Sequence, residues 1–312
     1  MLATILRQAS HALTGRPRTG NVRTNDGGKG GPLLNVSFFG VRGSTPSSCE
    51  ANRRYGGNTS CVALEAPGHD PIVLDLGTGL RFWGETLDPA RPFRGSALVT
   101  HIHWDHVQGL PFFTPVLRPG ACFDIYGPPQ PDQGSLEAAF NELMRPPFFP
   151  VTTKDLLGEI NFHDVWESDL ELDGAKVKVR PVPHVGLTNG YRIEMGGHSV
   201  AYLSDHQMPL DGSHAVSEAV LELCDGVDVL IHDAQYTVDE FPQKANWGHC
   251  TADFAAWVAQ EAGAQRLVLF HHDPTHDDDT VDGILAATQQ LADEAGGLEV
   301  LAGQEGLVIN LP

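Results

Sequence analysis

Thr100-His101-Ile102-His103-Trp104-Asp105-His106 is the stretch on which the reading of this chain turns. Three imidazoles and one carboxylate fall within six consecutive positions, directly after the apolar, β-type run Ala97-Leu98-Val99. In an extended segment alternate side chains share a face, so His101 and His103 point the same way and can grip one cation. The chain is then expected to turn into a helix over His106-Val107-Gln108-Gly109-Leu110, where Asp105 and His106 can face a second cation. Neutral imidazole and carboxylate offer the nitrogen and oxygen donors that suit zinc. Histidines scattered over a solvated loop do not arrive as H-x-H-x-D-H at a strand end. The stretch reads as a metal site.

Working outward, strand-like runs begin at Leu33. Asn35-Val36-Ser37-Phe38-Phe39, Thr59 to Leu64 and Pro71 to Leu76 are joined by Gly, Pro and Ser turns and predict a meander. Leu74-Asp75-Leu76-Gly77-Thr78-Gly79 ends a buried strand with an acid and two glycines, and a helix is expected after it through Leu87. Beyond the metal stretch, Cys122 to Tyr126 reads as a strand and Ser135 to Met144 as a helix. Strands are expected at Ala175 to Val182, Gly190 to Met195 and Ser199 to Leu203. Helix Ser213 to Cys224, strand Val227 to His232, helix Thr251 to Ala262, strand Arg266 to Phe270, helix Thr280 to Ala295 and two short strands follow. A meander that gives way to alternating strands and helices, twice over, predicts an α/β fold of two facing mixed sheets with helices outside. This is a four-layer αββα sandwich, built as one domain over residues 33–312.

Residues 1–32 differ in kind. They carry Arg7, Arg16, Arg18, Arg23 and Lys29 against the single acid Asp26, and they end in a Gly-rich run that reads as a flexible linker. Leu2 to Arg7 is Arg-bearing and acid-free, which is also how a mitochondrial presequence reads. Five scattered cysteines with no C-x-x-C argue for a reducing compartment, against a disulfide framework and against a thiolate zinc site. The cytoplasm is the expected location, with the mitochondrial matrix as the alternative if the N-terminus is a presequence. No apolar run approaches the roughly 18 residues of a membrane span. The net charge of −20, from 40 acidic and 20 basic residues, repels long polyanions, because nucleic-acid affinity rests largely on Lys and Arg neutralising phosphates. A small anionic substrate is the expected partner; a homodimer is left open.

T-H-x-H-x-D-H after a short strand resembles the metal motif of the metallo-β-lactamase superfamily, and the rest of the chain can be matched to that family motif by motif. His184 follows Arg180-Pro181-Val182-Pro183, Asp205 ends Val200-Ala201-Tyr202-Leu203-Ser204, and His271 and His272 end Leu267-Val268-Leu269-Phe270. The resemblance implies two divalent metals per chain, zinc first, although His and Asp ligands equally serve manganese or iron. It implies His101, His103 and His184 on one metal and Asp105, His106 and His271 on the other, with Asp205 between them. Asp105 is thereby also placed at the chemistry. His272 is either a supporting residue or the last ligand in place of His271. Asp75 is implied as an acid that supports the H-x-H loop by orienting imidazoles rather than by binding metal.

A narrower resemblance comes from Val229-Leu230-Ile231-His232-Asp233-Ala234 and Trp247-Gly248-His249-Cys250-Thr251-Ala252. These are similar to the "HEAT" and "GHST" segments of ribonuclease Z and its cyclic-nucleotide phosphodiesterase relatives, where an acid and a histidine pair near the metals. Asp233 stands where ribonuclease Z carries Glu. By this resemblance Asp233 and His249 are catalytic, His249 helping the leaving oxygen depart; alternatively, Gly248 to Thr251 only caps the following helix.

Two zincs holding a hydroxide between them hydrolyse phosphodiesters, lactones and thioesters alike. The Asp233/His249 pair favours phosphorus over carbon, because lactonase-type members do not resemble this chain there. Ribonuclease Z proteins carry a basic tRNA-gripping arm, in bacterial forms between the third histidine and the bridging acid, and His184 and Asp205 are too close to hold one. The expectation is a dinuclear metal-dependent phosphodiesterase on a small ester such as a 3′,5′-cyclic nucleotide; the alternatives are an RNA-processing nuclease or a lactone or thioester hydrolase. The Pro-stiffened segments Leu110-Pro111-Phe112-Phe113 and Pro147-Phe148-Phe149-Pro150 pack the core or line the mouth, where Phe113 or Phe149 would stack on a base.

Overall fold

Leu64, Leu74 and Leu98 alternate with Ala63, Val73 and Ala97 along their strands, so these strands need cover on both faces. The computed structural model, which describes residues 33–312, provides that cover; the basic extension expected at 1–32 lies outside the described residues. The first half holds β1 (Leu34–Gly40), β2 (Cys61–Glu65), β3 (Ile72–Leu74), α1 (Leu80–Thr86), β4 (Arg94–Leu98), α2 (Trp104–Val107), β5 (Cys122–Gly127), α3 (Leu136–Leu143) and β6 (Glu159–Asp164). The second holds β7 (Ser168–Leu172), β8 (Ala175–Pro181), β9 (Asn189–Met195), β10 (His198–Leu203), α4 (Glu218–Cys224), β11 (Val229–Asp233), α5 (Phe241–Lys244), α6 (Ala252–Glu261), β12 (Arg266–Phe270), α7 (Asp278–Glu294), β13 (Glu299–Ala302) and β14 (Val308–Leu311).

Two seven-stranded sheets result, ordered β14-β1-β2-β3-β4-β5-β6 and β13-β12-β11-β10-β9-β8-β7. Each begins as an antiparallel meander and becomes parallel where helices take over the connections: β3 to β6 in one sheet, β10 to β13 in the other. Between the sheets lie Val36, Phe38, Leu74, Val177, Tyr191, Ile231 and Phe270. Trp83, Phe93, Phe123 and Phe140 fill the layer between the first sheet and its helices; Leu203, Leu223, Phe254 and Val258 fill the corresponding layer of the second. The αββα sandwich expected from the sequence is therefore the fold. Among the described residues no helix is long and apolar enough to cross a membrane.

Several local expectations are corrected. The helix after the metal stretch starts earlier and ends sooner, at Trp104–Val107. It stops before Gly109, which packs so closely on the backbone carbonyl of Gly77 that a β-carbon would lie 2.0 Å from it. Helix α4 starts at Glu218 and not near Ser213, because Ser217 is the residue whose hydroxyl accepts from the backbone N–H of Val220. Strands β6 and β7, only partly apolar, escaped the sequence pattern. Phe113 belongs to the core and not to a pocket mouth: its ring is buried, stacked 5.4 Å from Trp83 and set edge-on to Phe93 at 5.1 Å. Phe149 is half-buried against Phe112, edge-to-face at 5.9 Å.

Candidate metal centre

In both sheets the parallel strands run the same way and their carboxyl ends meet at one edge of the sandwich, the position at which such sheets place ligands. From the first sheet β3 delivers Asp75 and β4 delivers His101 to His106. From the second, β10 delivers Asp205, β11 delivers Asp233 and β12 delivers His271, while His184 and His249 arrive on loops. Asp75 and His271 turn off their strands with φ near +60°. Non-glycine residues rarely hold that conformation, and it persists here inside a buried network that fixes both side chains.

The donors fall into two groups joined by one carboxylate. His101 Nε2 lies 2.7 Å from His103 Nδ1, which lies 3.4 Å from His184 Nε2. Asp105 Oδ2 lies 3.1 Å from His271 Nε2 and 3.2 Å from His106 Nε2. Asp205 stands between the groups. Its Oδ2 faces His101 and His184, each at 3.8 Å, and its Oδ1 faces His106 at 3.2 Å and His271 at 3.5 Å. The ligand atoms of each group lie within 4.8 Å of one another.

Outer contacts fix the rings. His106 Nδ1 donates to Asp75 Oδ2 at 2.8 Å; Asp75 also accepts from the Tyr202 hydroxyl and from both the amide and the hydroxyl of Thr100, which starts the H-x-H loop. His184 Nδ1 donates to the Gly248 carbonyl at 2.6 Å, and His271 Nδ1 to Gln235 Oε1 at 2.8 Å. Each of these bonds leaves Nε2 free to face inward. Gly43 is small because a β-carbon there would lie 2.4 Å from the His271 ring, and the amide of Ser44 donates to Asp105 at 2.7 Å. Tyr202, Gln235, Gly43 and Ser44 carry no sequence signal of their own. His272 is corrected: its ring donates to the Gly303 carbonyl at 2.9 Å, sits edge-on to Tyr55 and joins neither donor group.

The electrostatics fit a pair of cations. Burial holds His101, His103 and His184 below the ordinary histidine range, which leaves their ring nitrogens unprotonated and able to coordinate. Burial would push Asp105 and Asp205 up, yet the neighbouring His106 and His271 hold both carboxylates well below their usual range. His106 shows the same demand in reverse: burial lowers it, but Asp105, Asp205 and Asp75 drive it well above the usual value. That concentration of negative charge draws a positive charge, which a cation can supply in place of the proton. His106 Nε2 and Asp205 Oδ1 are both buried and make no well-formed hydrogen bond. Such orphaned atoms are expensive unless something coordinates them.

Beside this centre His249 Nδ1 donates to Asp233 Oδ2 at 2.8 Å and lies 3.7 Å from Asp205 Oδ2. Asp233 is held by the amides of His206 and Gln235. Burial lowers the His249 imidazole, but the charge and hydrogen bond of Asp233, together with the charges of Asp205 and Asp105, outweigh it and raise the imidazole overall. The capping reading of Gly248 to Thr251 holds at its last residue, Thr251, whose hydroxyl accepts from the amide of Phe254, while His249 faces Asp233. Gln207 ties the loops together, its own amide donating to the Pro183 carbonyl and its side chain bonding the Ala245 carbonyl and the Gly248 amide.

Residues 78–272 match the family described as "Beta-lactamase superfamily domain". The chain is 26% identical over 294 residues to a ribonuclease Z from Synechococcus sp. (strain WH7803), with 78% of this chain and 86% of the relative covered. The metallo-β-lactamase-fold protein YhfI from Bacillus subtilis superposes with a TM-score of 0.65 at 19% identity, covering 90% of this chain and 99% of that one. The short form of human tRNase Z does so with a TM-score of 0.62 at 21% identity, covering 89% and 99%.

Proposed function

This chain is a hydrolase that belongs to the β-lactamase superfamily, and we propose that it is a metal-dependent phosphodiesterase acting on a small ester such as a 3′,5′-cyclic nucleotide. The observation that carries the proposal is the Asp233–His249 pair, 2.8 Å apart and beside Asp205. In the proposal His101, His103 and His184 hold one divalent ion, Asp105, His106 and His271 hold the other, and Asp205 joins the two. Zinc is the first candidate, given nitrogen and oxygen donors only. Two ions so held activate water and withdraw charge from the bound ester.

The protein's own groups do the rest. Asp233 fixes the Nδ1 proton of His249 and leaves the Nε2 proton to be donated. A cyclic nucleotide departs as a sugar alkoxide, a poor leaving group that needs such a proton, so the pair suits phosphodiester chemistry with an alkoxide leaving group. Asp75 and Thr100 hold the H-x-H loop in register while this happens.

A second reading, an RNA-processing nuclease, is favoured by relatives that carry the name ribonuclease Z. Two observations support the small substrate over it. Only the β9–β10 hairpin lies between His184 and Asp205, which leaves no room for a tRNA-gripping arm there, and the net charge is −20. The deciding experiment is metal analysis of the purified protein with an activity panel of cyclic nucleotides, bis-p-nitrophenyl phosphate, lactones and thioesters. Two ions per chain and preference for the phosphodiesters are expected, with Asp205→Ala and His103→Ala each dropping below two ions and nearly abolishing turnover. Full occupancy in both variants, or faster lactone or thioester cleavage, would overturn the reading.

A further inference from the structure

Of the five tryptophans, Trp83 is buried, Trp257 packs on the core and Trp166 is half-buried; Trp104 and Trp247 are 70% and 59% exposed. Single exposed apolar residues are ordinary, but several gathered around one opening mark an interaction site. Both stand next to the donors of the metal centre. Trp104 lies between His103 and Asp105, and His103 is the solvent-exposed member of its donor group. Trp247 precedes Gly248, whose carbonyl accepts from His184 Nδ1 at 2.6 Å, and His249 follows. On the loop after His184, Val185 and Leu187 also face solvent. Three of the loops at the centre thus each present an apolar side chain outward.

The backbones that carry the two indoles are fixed. Trp104 opens α2, its carbonyl accepting from Gln108 at 2.9 Å. The amide of Trp247 donates to the Lys244 carbonyl at 2.9 Å, and the next amide, Gly248, donates to Gln207 Oε1 at 2.8 Å. Among the described residues neither ring stacks on another aromatic side chain. They are anchored platforms with a free face.

We infer that Trp104 and Trp247 form a subsite at the mouth of the centre that takes a planar aromatic group, a nucleobase, from the non-reacting side of the substrate. The inference rests on the phosphodiesterase reading, which puts the phosphate at the metals and leaves the remainder of the molecule at this rim. A flat, uncharged group is what indole faces hold best, and stacking tolerates any base because every base has a π-face. An anionic lipid surface or a long polyanion is a poor occupant, because the chain carries a net charge of −20.

The test compares two ligands that share a phosphate and a sugar and differ in the base. Adenosine 5′-monophosphate and ribose 5-phosphate are titrated calorimetrically into the full-length, zinc-loaded protein. The nucleotide should bind more tightly, and Trp104→Ala or Trp247→Ala should each shrink its advantage over ribose 5-phosphate by roughly 5- to 100-fold. Trp104→Phe and Trp247→Phe, which keep a flat ring, should restore most of it, which separates stacking from damage to the fold. Equal binding of the two ligands, or an undiminished nucleotide advantage in both alanine variants, overturns the subsite and leaves the phosphodiesterase reading standing. If neither ligand binds and no phosphodiester is cleaved, that reading falls and the subsite with it. A dimer-to-monomer shift on sedimentation of Trp104→Ala, with the nucleotide advantage intact, assigns the rim to self-association and also overturns the subsite.

Discussion

His249 is where a single side chain separates the chemistries open to this fold. Its imidazole is raised because Asp233, 2.8 Å away, acts with Asp205 and Asp105 against the burial that lowers it. His249→Ala should retain both metals, lose on the order of 10²–10⁴ in kcat on a cyclic nucleotide and lose much less on a nitrophenyl ester, whose leaving group needs no proton. The pH dependence follows from the sign of the shift. A raised value means the acid form persists to higher pH, so cyclic-nucleotide turnover should fall only as pH climbs through that raised value. Asp233→Asn removes the largest of the raising contributions, and the alkaline fall should move to lower pH with a smaller loss of rate. Equal losses on both esters together with loss of one metal would make His249 a ligand instead.

At the scale of elements, the centre depends on how closely strand-end loops approach one another. Gly248 shows it best. It holds φ +98°, and a β-carbon there would sit 2.4 Å from the His184 ring, so this glycine admits His184 to its donor group. Gly197, in the β9–β10 turn, holds φ +85° with nothing within 4 Å of a β-carbon. Both alanine variants carry the left-handed strain of about 1–2 kcal/mol, but only Gly248→Ala pushes the His184 ring. Gly248→Ala should therefore lower metal content at the His101, His103 and His184 group, whereas Gly197→Ala lowers only the melting temperature. Matching metal content in the two variants would show that His184 has room to adjust.

For the molecule as a whole, charge and topology bear on the same question. With a net charge of −20 and only a hairpin between His184 and Asp205, precursor tRNA should bind weakly near physiological salt in a filter or mobility-shift assay. Tight binding with correct 3′-end cleavage would restore the nuclease reading that the relatives' names favour. Much of this architecture was legible in the chain. His101, His103, Asp105 and His106 are neighbours in sequence, and alternation along a short extended loop after β4 lets the first two face one way. The alternation of strands and helices likewise implies two sheets, because each apolar face must be covered. What the tertiary structure alone decided lies between segments far apart in the chain. His271 faces the centre and His272 faces the Gly303 carbonyl, because a φ of +60° at His271 turns the chain at the end of β12. Phe113, an aromatic residue beside the metal helix, is claimed by Trp83 and Phe93 and not by the mouth. Gln235, Gly43 and Gln207 act only through partners that the sheet packing brings to them. Local periodicity fixes which way a side chain points along its own strand; what it points at is set by the packing of the two sheets and the loops between them.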